Sequence, residues 1–449
     1  MTKSPSSSSL IKDFFEQNNI TDIECIFPDV TGYPRGKLMP GASFAQSAEL
    51  RICQAIPMQA VTGEYSYDPI FPDSDPDVRL VPDLSTLRLS PWSLKPRAVA
   101  IHDCIEMDGS DCVFAPRSLL KKVLQQYQEL GLSPVVAPEI EFYLIRPNAD
   151  PSQVLSPPLQ KAGRPEVGQS AFSMNALNEQ AAFWDELKTA LQTLQINADT
   201  WIHEVGTSQF EINLMHGNAL EVADQAFYFK YAAKEIALKH GLQAVFMAKP
   251  ISGQAGSSMH LHQSIVNADD HNIFSLANGS EAAELGFYIS GLQRYTPDLM
   301  LIYAPNVNSY RRYVEGSQAP INMQWGYENR TTGIRIPHSS PVARRVENRL
   351  AGADANPYLA IAASLAAGLA GLQEKIPATS AVTSNGYHQD RTLPKSQVEA
   401  IDFMQNSDHA KRLLGASFVQ GFCAVKALEY DHFQNEVSAW ERRVLLAQV

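Results

Sequence analysis

The chain has 449 residues, which is too long for one small core and predicts two or three domains. Hydrophobic residues make up 45% and charged residues 19%, as in ordinary globular enzymes. A formal net charge of −12 argues against nucleic acid or an anionic membrane as the main partner, and no apolar stretch reaches the roughly 18 residues that span a bilayer. Five scattered cysteines without a Cys-x-x-Cys pair argue against a thiolate zinc site and favour the cytoplasm.

The first hundred residues predict a small sheet with one or two helices. A Ser-rich polar tail over residues 1–9 is expected to be disordered, and a short helix follows over Leu10 to Asn18. Strands are expected over Ile23 to Phe27, Leu80 to Leu89 and Ala98 to Ile105. Because Asp108 to Ser110 favour a turn, we expect a small domain over residues 10–109 and a larger one over 110–449.

Two carboxylates share one face of a predicted strand. Glu139 and Glu141 lie within Val135 to Ile145, where β-branched and aromatic residues indicate a strand on which residues two apart face the same way. Two like charges among apolar neighbours would raise one pKa steeply unless a cation lay beside them. The pair therefore predicts either a cation site or an exposed strand face with two solvated glutamates.

A predicted hairpin brings two more glutamates together. The strand-like segments Thr200–Glu204 and Gln209–Leu214 flank a turn that contains Gly206. Glu204 ends the first segment and Glu211 lies early in the second, so their side chains can converge across the hairpin. The same type of side chain thus recurs on a separate pair of strands.

Two further segments carry polar side chains at every second position. The first row is His260, His262 and Ser264, and the second row is Arg345, Glu347 and Arg349. A histidine pair or a surface salt-bridge ladder gives such patterns without any site, but here they accompany four strand glutamates. Imidazole with carboxylate suits Mg²⁺ or Mn²⁺, and arginine forks suit phosphate. With no Walker loop in the chain, the rows predict phosphoryl transfer from ATP with more than one divalent ion.

Over nearly its whole length the chain resembles the glutamine synthetase family. The similar segments are Asp29–Lys37, Val81–Thr86, Glu139–Phe142, His203–Glu211, Gly256–Ser264, Asn308–Arg312, Asn329–Pro337, Arg344–Arg349 and Asn356–Leu359. The resemblance implies an α+β fold with a small N-terminal β-grasp domain and a larger C-terminal catalytic α/β domain. It also implies a homo-oligomer, expected as a dodecamer of two stacked rings with active sites between subunits.

The resemblance implies a role for each candidate residue. One divalent ion would be held by Glu141, Glu204 and Glu211, and the other by Glu139, His260 and Glu347. The residues expected to approach ATP are His262, Ser264, Arg335 and Arg345. Arg330 would contact the transferring phosphate, and Arg312, Arg349 and the Gly256 backbone would contact glutamate.

Two positions depart from the ammonium-using members of the family. Gln318 stands where their flap carries a glutamate that binds and deprotonates ammonium, and Gly63 stands where an aspartate serves the same cation. The absence of both anionic side chains suggests that the nucleophile is not ammonium but an amine that carries an organic substituent. The short hairpin and the segment Arg349–Tyr358 are similar to the γ-glutamylpolyamine (γ-glutamylputrescine) synthetase branch. Glu64 and the segment Tyr65–Asp68 are candidates for the amine pocket.

The sequence therefore predicts an ATP-dependent ligase that joins the γ-carboxylate of L-glutamate to a primary amine, such as the polyamine putrescine, through γ-glutamyl phosphate. Three alternatives stay open: a glutamine synthetase that uses ammonium, a ligase for a monoamine, ethanolamine or an aromatic amine, and a non-catalytic family member with a structural or nitrogen-sensing role. The expected partners are these small molecules and further copies of the chain.

Overall fold

The structure is a computed structural model that describes residues 7–46, 49–66, 71, 74–150, 153–168 and 170–449. The first helix, α1, begins at Ser7. The tail that was predicted over residues 1–9 therefore overlaps this helix at residues 7–9, and its residues 1–6 lie outside the described part of the chain.

A mixed sheet forms the N-terminal part of the molecule. Its elements are α1 (Ser7–Gln17), β1 (Asp22–Pro28), β2 (Pro34–Pro40), α2 (Gly41–Gln46), β3 (Leu50–Cys53), β4 (Asp77–Pro82), β5 (Arg88–Leu89) and β6 (Arg97–Ile105). Within the described residues the strand order is β2-β1-β6-β4-β3, with β5 also paired to β6. The central strands β1 and β6 are parallel and their outer neighbours antiparallel, and Ile11 and Phe15 of α1 pack on them. This is the predicted β-grasp arrangement.

The larger C-terminal part is built on a second sheet. Its strands are β7 (Leu132–Ile145), β8 (Ala198–His203), β9 (Gln209–Leu214), β10 (Gly217–Asn218), β11 (Gln243–Val245), β12 (Met259–Asn267), β13 (Trp325–Tyr327), β14 (Ile334–Ile336) and β15 (Val346–Asn348). In the described chain the order is β13-β14-β15-β12-β7-β9-β8, and β10 and β11 pair with β7. The predicted Glu139/Glu141 strand is therefore the long central strand, β7, which contacts four others.

Helices cover the sheet and build the C-terminal region. They are α3 (Pro116–Glu129), α4 (Met174–Glu179), α5 (Ala181–Thr193), α6 (Ala219–Lys239), α7 (Ala283–Tyr295), α8 (Met300–Tyr303), α9 (Pro357–Glu374), α10 (Gln397–Asn406), α11 (Asp408–Leu414), α12 (Ala416–Gln434) and α13 (Ala439–Val444). Ala-rich α9 is apolar on all sides and is buried, as such a helix must be. Across the described ranges, no helix combines the length and apolar character that a membrane span requires.

One buried arginine connects the two parts of the molecule. Arg117 on α3, only 2% exposed, donates to Asp224 of α6 at 2.9 and 2.8 Å. Its guanidinium also donates to Asp83 at 2.7 Å and to Asp103 at 2.6 Å, both in the N-terminal sheet region. Three carboxylates around one cation thus fix the β-grasp sheet against the helices behind β7. The domain boundary near residue 109 stays a prediction.

Candidate active site

Strand register brings the predicted metal ligands together. The cross-strand neighbours are Glu141 and Glu211 between β7 and β9, Glu139 and His260 between β7 and β12, and His262 and Glu347 between β12 and β15. Directly opposed residues in antiparallel strands have Cβ atoms about 5 Å apart and share a face. Side chains that lie up to 208 residues apart in the sequence, as Glu139 and Glu347 do, therefore meet on one face of the sheet.

Two groups of side chains, found among the described residues, can each hold a cation. The ligand atoms of Glu139, Glu211 and His260 lie within 4.8 Å of one another, and so do those of Glu139, His262 and Glu347. Ligand atoms on opposite sides of Mg²⁺ lie about 4.2 Å apart, so oxygen and imidazole donors at this spacing fit such an ion. Glu139 belongs to both groups, and His262, predicted near ATP, belongs to the second. The predicted division of the six ligands between two ions is not tested by this geometry.

Part of the cluster already has its negative charge compensated. Glu347 is buried, but Arg349 and the two histidines outweigh the effect of burial and lower its pKa to about 2. Arg335 donates to Glu347 at 2.7 Å. Burial likewise opposes the ionisation of Glu139, yet hydrogen bonds from His260 and His262 lower its pKa. These two carboxylates are therefore ionised.

The other part of the cluster carries uncompensated negative charge. Burial raises the pKa of Glu211, and the charges of Glu141, Glu139 and Glu204 raise it further. Burial raises the pKa of Glu141, and the negative charge of Glu204 raises it further. These effects outweigh two hydrogen bonds from Ser258, whose backbone N–H donates to Glu141 at 2.8 Å and whose hydroxyl donates at 2.6 Å. Buried carboxylates that repel one another need a cation, and divalent ions bind such sets. The donor set therefore fits the predicted metal.

A cavity of about 350 Å³ opens on one side of these ligands. His262, Ser264 and Arg345, three of the residues predicted to approach ATP, line it. Arg345 Nε donates to His262 Nδ1 at 3.1 Å, so His262 can donate through Nε2 to Glu139 at 2.9 Å. The fourth predicted residue, Arg335, lies apart from this lining and bridges Glu347 and Glu328.

A second cavity, of about 280 Å³, opens beside other members of the cluster. Its lining includes the predicted residues Glu141, Glu204, Gly256, His260, Arg312, Gln318 and Arg349. Arg312 is buried, and its Nη1 donates to the carbonyl of Leu350 at 2.9 Å, so its guanidinium has a fixed position. A Cβ at Gly256 would lie 2.7 Å from Arg312 Cγ, so only glycine lets this backbone approach the arginine. Because Glu139 lines the first cavity and Glu141 the second, the ligands lie between the two.

Arg330 and Glu64 are exposed and line neither cavity within the described part of the chain. Arg330 is exposed, near enough to Glu204 to affect its charge but not part of either lining. Glu64 is exposed too, and its carboxylate contacts His432 of α12 and accepts from Thr62 Oγ1 at 3.2 Å. Of the candidate amine segment, Tyr67 and Asp68 fall outside the described chain.

The hairpin forms as predicted, with one correction. Strand β8 ends at His203, so Glu204 lies in the turn and not on a strand. The turn is tight because Gly206 packs against Tyr143, whose hydroxyl would lie 2.0 Å from a Cβ at position 206, and because Ser208 has φ of +57°. The position of Glu204 therefore depends on the turn.

The sequence analysis did not identify several residues that the structure places in the site. Ser258 and Gln209 donate to Glu141, and Lys249 adds a positive charge to the second cavity. Glu328, which accepts from Arg335 at 2.9 Å, stands directly before the Asn329–Pro337 segment and could have been considered as a partner for its arginines. Contacts of the other three depend on register, which a single sequence does not display.

Comparison with known proteins identifies the family. Residues 114–445 match the glutamine synthetase catalytic domain. The chain is 33% identical to the glutamate–isopropylamine ligase of a Pseudomonas species over 96% of both chains. It is 34% identical to the γ-glutamylputrescine synthetase of Escherichia coli strain K12, over 96% of this chain and 93% of that one. It is also 32% identical to a glutamine synthetase of Pyrococcus horikoshii, over 93% and 91% of the two chains.

Solved structures agree with this assignment. The structure of GmaS in complex with ADP superposes with a TM-score of 0.84 at 26% identity, and the match covers 97% of this chain and 99% of that one. A ligand-free GmaS structure gives a TM-score of 0.83 at 27% identity. The two sheets, the cluster of carboxylates and histidines on one face of the second sheet and these full-length matches lead to one conclusion. The chain belongs to the glutamine synthetase family.

Proposed function

We propose that this chain is an ATP-dependent ligase that joins the γ-carboxylate of L-glutamate to a primary amine, with a polyamine such as putrescine favoured. One observation carries the proposal: ligands for divalent ions lie between two cavities, one suited to a nucleotide and one to an amino acid. Phosphoryl transfer needs this arrangement, because the donor and acceptor must meet in line at the metal.

The first cavity binds ATP. His262, Ser264 and Arg345 face its triphosphate, and Arg335 joins them from its position beside Glu347. Two divalent ions, Mg²⁺ or Mn²⁺, offset phosphate charge when bound by Glu139, Glu141, Glu204, Glu211, His260 and Glu347. Arg345 fixes the His262 tautomer through its bond to Nδ1, which aligns the imidazole with Glu139.

The second cavity binds glutamate. Arg312 and Arg349 supply positive charge for its carboxylates, and the Gly256 backbone contacts it at close range. The γ-carboxylate attacks the γ-phosphorus of ATP, the bond from that phosphorus to the bridging oxygen breaks, and ADP leaves as γ-glutamyl phosphate forms. The neutral amine then attacks the acyl carbon, phosphate leaves with the bonding electrons, and the amine nitrogen loses a proton to give the amide. Arg330, which is exposed and near enough to Glu204 for its positive charge to favour ionisation of that carboxyl, stabilises charge on the transferring phosphate.

The acceptor is an amine larger than ammonium. Gln318 lines the second cavity and is neutral, and Gly63 has no side chain at all, so neither supplies the anionic contact that a small cation requires. The similarity to a glutamate–isopropylamine ligase and to a γ-glutamylputrescine synthetase supports an amine acceptor. The similarity to glutamine synthetases keeps ammonium as the second candidate.

The protein forms a homo-oligomer, expected as a dodecamer of two stacked rings. Trp440, Leu446 and Val449 are 56%, 82% and 95% exposed, and burial of these apolar side chains against another subunit would be favourable. Glu64, a candidate for the amine pocket, lies away from the cavities of its own chain, which supports a site completed by a neighbouring subunit. Light scattering on the purified protein gives the subunit number, and a monomeric enzyme with full activity contradicts a shared site.

We further infer a cytoplasmic location and a boundary between residues 109 and 110. All five cysteines are free thiols, as a reducing compartment requires. Gly109 has φ of +96° in the turn that follows β6, and α3 of the larger part begins at Pro116.

The test is phosphate release by the purified protein with ATP, Mg²⁺ and glutamate. Ammonium, putrescine, spermidine, isopropylamine, ethanolamine and aniline are supplied in parallel, and kcat/KM is compared for each. We expect an amine to exceed ammonium by at least about tenfold. Equal or better use of ammonium would favour the glutamine synthetase alternative, and no turnover with any acceptor would favour the non-catalytic one.

A further inference from the structure

One carboxylate anchors a surface segment to the hairpin that carries Glu204 and Glu211. Within residues 161–168, all of them described, every residue is exposed except Glu166, whose side chain is 11% exposed. Its carboxylate lies 3.1 Å (Oε1) and 3.2 Å (Oε2) from Nε2 of His203, which is fully buried. Its Oε2 also accepts from the backbone N–H of Ser208 at 2.9 Å.

The two contacts of Glu166 join both ends of the turn. His203 is the last residue of β8, and Ser208 directly precedes β9. Because a carboxylate only accepts hydrogen bonds, the His203 ring must carry its proton on Nε2, which fixes the orientation of the ring. One side chain therefore links the end of β8 to the residue that precedes β9.

Two backbone contacts strengthen the same attachment. The hydroxyl of Thr207 donates to the carbonyl of Gly168 at 3.0 Å, and the N–H of Phe172 donates to the carbonyl of His203 at 2.7 Å. The contacted residues, His203, Thr207 and Ser208, surround Glu204 in the turn. Within the described part of the chain, the hydrogen bond that the Glu204 carboxylate accepts comes from the backbone N–H of its neighbour Val205, at 3.3 Å. Its position is therefore imposed by its surroundings.

We propose that Glu166 is a positioning residue that fixes the hairpin turn, and with it Glu204, for binding of a divalent ion. This inference rests on the proposed role of Glu204 as a metal ligand. A partner that orients a ligand without touching the ion commonly changes metal affinity by about tenfold or more when it is removed. The exposed segment that contains Glu166 thereby supports metal binding by Glu204, although the two lie far apart in the sequence.

The test is Mn²⁺ binding to the full-length protein by calorimetry, without ATP, glutamate or amine. Glu166→Ala removes both contacts, and Glu166→Gln keeps an acceptor oxygen for one of them. The matched control is Glu179→Ala, which removes a 2.5 Å bond from the N–H of Lys161 in the same segment without touching the hairpin. Thermal unfolding of each variant reports on folding.

We expect Glu166→Ala to weaken Mn²⁺ binding at one site by about tenfold. Glu166→Gln should weaken it less, and Glu179→Ala should leave it unchanged. Binding of Mn²⁺ to Glu166→Ala as tight as to the wild type would overturn the proposal, and so would an equal loss in Glu179→Ala. If Glu166→Ala does not fold, the test depends on Glu166→Gln. Unchanged Mn²⁺ binding in that variant, together with the wild-type unfolding temperature, would overturn the proposal.

Failure of this inference is distinct from failure of the proposed function. Calorimetry with Mn²⁺ needs no substrate. Weaker Mn²⁺ binding by Glu166→Ala would therefore support the positioning role even if the wild-type protein used no amine. Normal amine turnover with unchanged Mn²⁺ binding in the Glu166 variants would contradict only the positioning role.

Discussion

Replacing Glu211 by glutamine should stabilise the metal-free protein while removing a metal ligand. Burial and three neighbouring glutamates raise the pKa of Glu211, so folding either buries its charge or makes it take up a proton. Both routes cost free energy at neutral pH, and a neutral side chain of the same shape avoids both. Stability and activity should therefore change in opposite directions.

The size of the gain follows from the geometry. Ligand atoms of Glu211 and Glu139 lie no more than 4.8 Å apart, and at an effective dielectric constant of about 20 two like charges at that distance repel by about 3 kcal/mol. Taking up a proton at pH 7.5 instead costs about 4 kcal/mol for a carboxyl that ionises near pH 4.3 when unfolded. Burying the amide offsets part of the gain, so we expect Glu211→Gln to add about 2 kcal/mol.

The gain should depend on pH with a defined sign. A carboxyl whose pKa is raised by folding lowers stability increasingly as the pH rises above its unfolded value. The advantage of Glu211→Gln should therefore be near zero at about pH 4.5 and grow towards pH 7.5. Saturating Mg²⁺ should reverse the order, because the wild type then gains binding free energy that the variant cannot.

The assay is thermal unfolding in EDTA and in Mg²⁺ at pH 5.0 and pH 7.5. For a chain of this length 2 kcal/mol corresponds to a shift of about 2 °C. Glu129→Gln, an exposed change at the end of α3, is the control and should shift the midpoint little. A lower midpoint for Glu211→Gln in EDTA at pH 7.5, or a gain that is the same at both pH values, would refute the reasoning.

Three further changes test other parts of the site and the fold. Gln318→Glu should raise the ratio of ammonium to amine turnover, because it returns a carboxylate to the second cavity; Glu315→Gln on the same exposed loop should leave the ratio unchanged. Gly256→Ala should raise the KM for glutamate by about tenfold and leave the KM for ATP unchanged, since the new methyl group meets a buried arginine at 2.7 Å. Arg117→Ala should lower the free energy of unfolding by about 3–5 kcal/mol in denaturant titrations, because Asp224 would stay buried without its cation.

Much of the fold could be predicted from local patterns. β-branched and aromatic residues predicted β7, and the alternation that places His260, His262 and Ser264 on one face predicted β12. Proline near a first helical turn and glycine just past a helix end likewise predict a helix from Pro116 to Leu130, and α3 spans Pro116–Glu129. Gly241, as a C-terminal stop, predicts a helix over Leu220 to His240, and the observed helix is Ala219–Lys239. These signals are local, so a single sequence contains them.

What could not be predicted depends on tertiary contact. The position of Glu204 in a turn follows from the contact between Gly206 and Tyr143, which lie 63 residues apart. The donors to Glu141 come from Ser258 and Gln209, which reach it only through strand register. Period alone could assign residues to one face of a strand but could not say which strands would be neighbours.

The most direct test of the account is a competition in one reaction mixture. The wild-type protein receives ATP, Mg²⁺ and glutamate with equal concentrations of ammonium and putrescine, and mass spectrometry measures both products at low conversion. The account predicts that γ-glutamylputrescine exceeds glutamine by at least about tenfold. Glutamine as the main product would contradict it, because neutral Gln318 and side-chain-free Gly63 would then be compatible with efficient use of ammonium.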